Sequence, residues 1–144
     1  MFTLPKRFEM GRKDLPFYYD DEWITNGSIM IKKTIIKDVF KYCMPTDREQ
    51  PDLKRVVVEI TGSKWKRTNR LYDNGYYARA FENVDSGMEI YFNDDFITHF
   101  KVDELNGEAE SACITNDGNF IIMPCRVNGD FTNKISTYSN VAVA

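Results

Sequence analysis

Between Met88 and Asn93 apolar and polar residues alternate, with Met88, Ile90 and Phe92 on one side and Glu89, Tyr91 and Asn93 on the other. A period of two is that of a half-buried strand. At Asn93 the period lengthens: Phe96, Ile97 and Phe100 stand at i, i+1 and i+4, one face of a helix predicted over 93–101. Asn93 is a preferred N-cap, and Asp94 and Asp95 fall in the first turn, where negative charge meets the helix dipole favourably. Phe120 to Met123 is a strongly apolar strand, ended by Pro124, which has no N–H to give a ladder. Upstream, the Asn26-Gly27 turn leads into a short strand, Ile29 to Ile31. Ile35, Ile36, Val39, Phe40 and Cys43 then recur at helical spacing, predicting a helix over 34–43 that stops before Pro45.

The other predicted strands are a buried run, Arg55 to Ile60, and a hairpin of Trp65 to Leu71 with Tyr76 to Phe81 about Asp73-Asn74-Gly75. Glu108 to Thr115 makes a further hairpin with the Phe120 strand across Asn116-Asp117-Gly118. The order contains a near-duplication, because Ile29–Cys43 and Met88–Lys101 are each a strand followed by a short helix, with hairpins behind. The fold class expected is α+β: antiparallel sheets carrying two short helices. Three segments follow: an N-terminal arm, 1–27, whose aromatics Phe17, Tyr18, Tyr19 and Trp23 are expected to pack on the domain; a single domain, 28–127; and a C-terminal tail, 128–144, either loose or an added edge strand.

Two segments, Met88–Phe96 and Phe120–Val127, resemble the bacterial sliding clamp, the β subunit that tethers the replicative polymerase to DNA. The first matches the start of the second helix of a clamp domain through Ile90, Phe92 and Asn93; the second matches its Met-Pro-x-Arg strand end through Met123, Pro124 and Arg126. The resemblance covers roughly residues 28–127. It implies a processivity-clamp fold, with two helices side by side backed by antiparallel sheets. It also implies a hydrophobic pocket for client peptides, one wall from Ile122, Met123, Pro124, Cys125 and Arg126, the other from Gly75, Tyr76, Tyr77 and Ala78. In the family that second wall belongs to a neighbouring domain. The chain departs from the family in having one such domain instead of three, and in the loop Tyr72–Ala78, which has an extra residue and lacks the family's His and Arg.

At 144 residues the chain is long enough to bury a core without staples, and 42% apolar with 14% aromatic residues argues for a folded protein. A net charge of −3 implies no bulk attraction to nucleic acid or membrane, so any DNA contact rests on local asymmetry. Cys43, Cys113 and Cys125 are odd in number and far apart, which fits neither a zinc site nor a disulfide framework and points to a reducing, cytoplasmic setting. No apolar run reaches membrane length and no signal peptide is visible, so no membrane partner is expected.

Candidate chemistry is sparse. His99, the only histidine, lies beside no nucleophile signature and reads as a surface or packed residue. Asp20-Asp21 and Asp94-Asp95 point in different directions as neighbours and make poor metal sites, and the glycines sit in turns instead of a phosphate loop. No enzyme, cofactor or metal is expected. Lys6, Arg7, Arg12 and Lys13 make a short basic segment in the arm, either a phosphate contact or a solvated leader. On the predicted 34–43 helix, Lys33, Lys37 and Lys41 repeat every fourth residue, and like charges at that spacing cost a few tenths of a kcal/mol each. Such a stripe is either an ordinary solvated face or the contact of an anionic partner. The resemblance favours double-stranded DNA, touched at its backbone without sequence readout, with Lys101 of the second helix as a weaker contributor.

Two functions follow as expectations. One is a non-enzymatic, clamp-like accessory protein of DNA replication or recombination that self-associates as a homo-oligomer, binds polymerase-type clients, or both. The other is a monomeric protein-binding regulator or inhibitor, of phage or mobile-element type, that reuses the fold.

Overall fold

The computed structural model describes residues 1–11, 17–19, 21–43, 62–73, 76–109 and 111–125, and the backbone of 136–138. In chain order the strands are β1 (Tyr18–Tyr19), β2 (Trp23–Thr25), β3 (Ile29–Lys32), β4 (Lys64–Asp73), β5 (Tyr77–Asn83), β6 (Glu89–Asn93), β7 (Glu104–Asn106), β8 (Cys113–Ile114), β9 (Phe120–Ile122) and β10 (Ser136–Tyr138). Among the described residues one α-helix, α1 (Asp94–His99), lies between β6 and β7. The chain divides into two compact units, Met1–Val57 with Asp117–Ile122, and Val58–Asn116 with Met123–Ala144.

The first unit is an antiparallel sheet ordered β1-β2-β3-β9. Ile29, Met30 and Ile31 pair with Ile122, Ile121 and Phe120. Phe120, Ile121 and Ile122 are all buried, so β9 is covered on both faces, as a continuous apolar run requires. The arm is part of this unit: Leu4, Phe8, Phe17 and Trp23 are buried, and Phe2 meets Phe120 edge-on at 5.8 Å.

The expected helix over 34–43 does not form. Two single 3-10 turns, Lys33–Ile35 and Val39–Lys41, are separated by extended Ile36 and by Asp38 in the left-handed region at φ 53°. The residues explain the failure. Thr34, Ile35, Ile36 and Val39 are β-branched and stiff at χ1, and neither turn has a side-chain cap. The arm takes the backbone instead: Phe2 N–H donates to the Ile35 carbonyl at 2.7 Å, Lys37 N–H to Phe2 at 2.8 Å, and Met10 N–H to Lys41 at 2.9 Å. Of the five residues on the supposed apolar face, Ile36 and Cys43 are buried whereas Phe40 is 63% exposed.

The second unit is antiparallel too, ordered β8-β7-β4-β5-β6, with β10 pairing the Leu71–Asp73 end of β4. Alternation in β6 is as the sequence requires, with Ile90 and Phe92 buried and Glu89, Tyr91 and Asn93 half-buried. Helix α1 starts where predicted, and the Asn93 side chain accepts from Asp95 N–H at 3.0 Å. It ends earlier than predicted. Lys101 lies beyond the helix at φ 54°, donating its N–H to Thr98, while Val102 N–H reaches back to Ile97 at 3.0 Å. That is a Schellman ending with lysine where glycine is usual. Of the stretch expected as one strand, Glu108 to Thr115, the described residues form only β8, and β7 precedes Gly107. A close approach fixes this corner: a Cβ on Gly107 would stand 2.9 Å from Cys113 Sγ, and one on Gly62 would stand 2.8 Å from Gly107 Cα.

The α+β clamp architecture with two side-by-side helices is therefore not the one formed. Among the described residues, helix amounts to six residues of α1 plus isolated 3-10 turns, and antiparallel strand makes up the rest of the regular structure. The predicted Arg55–Ile60 strand, the Asn74-Gly75 tip and most of the tail lie outside the described residues.

Candidate functional site

The second unit builds its most organised polar cluster on a bulge. Between Arg67 and Leu71, β4 carries three residues opposite Ala80 of β5. Thr68 closes the bulge: its hydroxyl donates to the Ala80 carbonyl at 2.8 Å and accepts from Arg70 N–H at 3.1 Å. Arg79 supports it from the other face. Its side chain is fully buried, with Nε donating to Asp94 Oδ1 at 2.8 Å and Nη1 to the Thr68 carbonyl at 3.3 Å. Asp94 is thus held by an arginine.

The bulge turns Arg70 toward Glu89, with Glu82 at 3.8 Å. Tyr91 donates its hydroxyl to Glu89 Oε2 at 3.0 Å, and Tyr72 meets Tyr91 edge-on at 5.2 Å. Burial, reinforced by Glu89, pushes the Tyr91 hydroxyl up to about 12 and raises Tyr72 as well. Both tyrosines therefore stay neutral donors at ordinary pH.

Next to this cluster the segment after β9 runs along the outer edge of β6. Cys125 N–H donates to the Tyr91 carbonyl at 2.7 Å. Burial first, and the nearby Cys125 thiol second, push the Tyr76 hydroxyl up to about 12. Burial also raises the Cys125 thiol, against the nearby Tyr76 hydroxyl, which lowers it. Tyr76 and Cys125, one residue from each segment expected as a pocket wall, thus lie close together within one unit. Tyr76, Tyr77 and Met123 are large side chains 42%, 48% and 47% exposed.

Ile122 is buried in β9 of the first unit, Ala78 is buried inside β5, Pro124 is half-buried beside Met123, and Gly75 and Arg126 lie outside the described residues. Within the apolar run Phe120–Met123 three residues are buried and Met123 alone is exposed.

The lysines predicted to form a helical stripe sit on the broken 33–41 segment instead. Lys33 Nζ lies 4.9 Å from the Tyr19 ring centroid, Lys41 pairs with Glu9 at 3.4 Å, and Lys37 is exposed with no ion pair among the described residues. Lys101 belongs to the other unit, in the Schellman ending. The bulge and Arg79 went unrecognised in the sequence. A mid-strand arginine between two buried alanines, with an aspartate just beyond the next strand, is the signal that was available.

Comparison with protein-family models, curated proteins and solved structures finds no match for this chain. No relative supports or removes the sliding-clamp resemblance. No helix among the described residues is long and apolar enough to cross a membrane.

Proposed function

We propose that this chain is a non-enzymatic protein-binding module that takes an apolar peptide segment of a partner across Tyr76, Tyr77 and Met123. The observation that carries it is the exposure of these three large side chains within one unit, with Tyr76 close enough to Cys125 to be coupled to it. Tyrosine and methionine are suited to the task. They offer large contact area, tyrosine with a polar tip and methionine with an adaptable thioether. The Arg70–Glu89–Tyr91 cluster beside them supplies a fixed polar rim. A role as regulator or accessory of a larger machine, in a reducing compartment that suits the free thiols Cys43, Cys113 and Cys125, fits this reading.

The test is a selection of displayed random peptides on the wild-type protein, in the presence of excess Tyr76→Ser/Tyr77→Ser/Met123→Ser protein. Enriched peptides should bind the wild type and lose at least tenfold in affinity on the triple variant, since a few anchors dominate such contacts. Peptides that bind both proteins equally, or no enrichment, would remove the proposal. Sedimentation of the wild type decides whether a second copy occupies the same surface.

A further inference from the structure

We infer that the 32–41 segment of the first unit is a binding platform for single-stranded nucleic acid, with Phe40 stacking a base and Lys33, Lys37 and Lys41 meeting phosphate. It stands on a different unit from the proposed peptide surface and does not rest on that reading. Three observations carry it.

Phe40 is 63% exposed, yet held: Tyr19 contacts it edge-on, with ring centroids 5.6 Å apart. Lys33 lies over the Tyr19 ring, so a cation and two aromatic rings form one continuous group. The break in the expected helix creates this arrangement. Asp38 in the left-handed region turns the chain, so Ile36 enters the core while Phe40 points out.

Charge selects the occupant. Residues 32–41 contain four lysines, Lys32, Lys33, Lys37 and Lys41, against one aspartate, Asp38, and with Glu22 and Glu9 paired to Lys32 and Lys41 the patch keeps a local net of +1 (four minus three) in a chain of net −3. The ion pairs of Lys32 with Glu22 at 3.8 Å and Lys41 with Glu9 at 3.4 Å are partly exposed, and such pairs open at little cost. Lys37 has no such pair to break among the described residues. An apolar protein partner would leave these ammonium groups desolvated, whereas a polyanion releases counterions on meeting them. Single strands fit better than duplex because an exposed aromatic side chain can stack only an unpaired base.

The experiment is fluorescence anisotropy at low salt with a labelled oligothymidine of about 12 nucleotides, inside the range of site sizes for such platforms, and with a duplex of equal length. Wild type should bind the single strand and prefer it to the duplex. Phe40→Ala should weaken binding about tenfold, the loss of one stacked base, with an unchanged thermal melt. Phe40→Trp should keep binding, with its indole fluorescence quenched on the base. Lys37→Gln should lower the slope of log affinity against log salt by about 0.7. No binding by wild type, duplex bound as tightly as single strand, or Phe40→Ala binding like wild type would each overturn the assignment.

Discussion

Ile122 and Met123 are neighbours in sequence with opposite surroundings. Ile122 is 1% exposed and Met123 47%. Replacing Ile122 by alanine should cost about 2–5 kcal/mol, the loss of a buried side chain plus a cavity. Met123→Ala should stay within about 0.5 kcal/mol, as surface changes do. Chemical denaturation of both variants checks the pair. Arg79 is the residue on which the bulge depends, since its buried guanidinium holds both Asp94 and the Thr68 carbonyl. Removing it strands a largely buried carboxylate, so Arg79→Ala should cost about 3–5 kcal/mol. Asp94→Asn in the same background should recover part of that loss, because the uncompensated charge is gone. Additive losses in that cycle would mean the pair is not coupled.

At the scale of elements, the two lysine- and aspartate-bearing left-handed positions give opposite signs from those a helix would give. In a helix interior, Asp38→Gly would destabilise by a few tenths of a kcal/mol. At φ 53° it should stabilise by about 0.5–1 kcal/mol, since glycine accepts that conformation without strain. Lys101→Gly in the Schellman ending should do the same. Melting temperatures that fall for both would restore the longer helices. These positions also show what the sequence discloses. Helix α1 and β6 were legible because alternation, an asparagine cap and acidic first-turn residues all agree. The 34–43 segment was not, because apolar spacing alone cannot report that residues 2–10 compete for its backbone. β7 was missed because Glu104–Asn106 is too short for a period, and its place is set by pairing with Lys64–Lys66. Tyr76, Tyr77 and Met123 could be named from the sequence as candidate wall residues. That Cys125 bonds to Tyr91 at the edge of β6 is encoded by no local pattern.

For the molecule as a whole, alkaline stability has a defined sign. Burial raises Cys43 from 9.0 to about 11 and Cys113 to about 12, and raises Tyr76 and Tyr91 from 10.0 to about 12. Each group keeps its proton longer folded than unfolded, so its contribution is complete below the unfolded value and is lost as pH rises toward the folded one. Stability should therefore be flat to about pH 9 and fall between about 9 and 12, more gently in Tyr91→Phe, as followed by denaturant midpoints. In the proposed function Tyr76, Tyr77 and Met123 form a binding surface and not part of the core. The most direct measurement is a paired melt and peptide titration of wild type and Met123→Ala, using a peptide selected on the wild type. An unchanged melt with at least tenfold weaker binding is the expected result. A melt that collapses, or binding that survives the substitution intact, would contradict it.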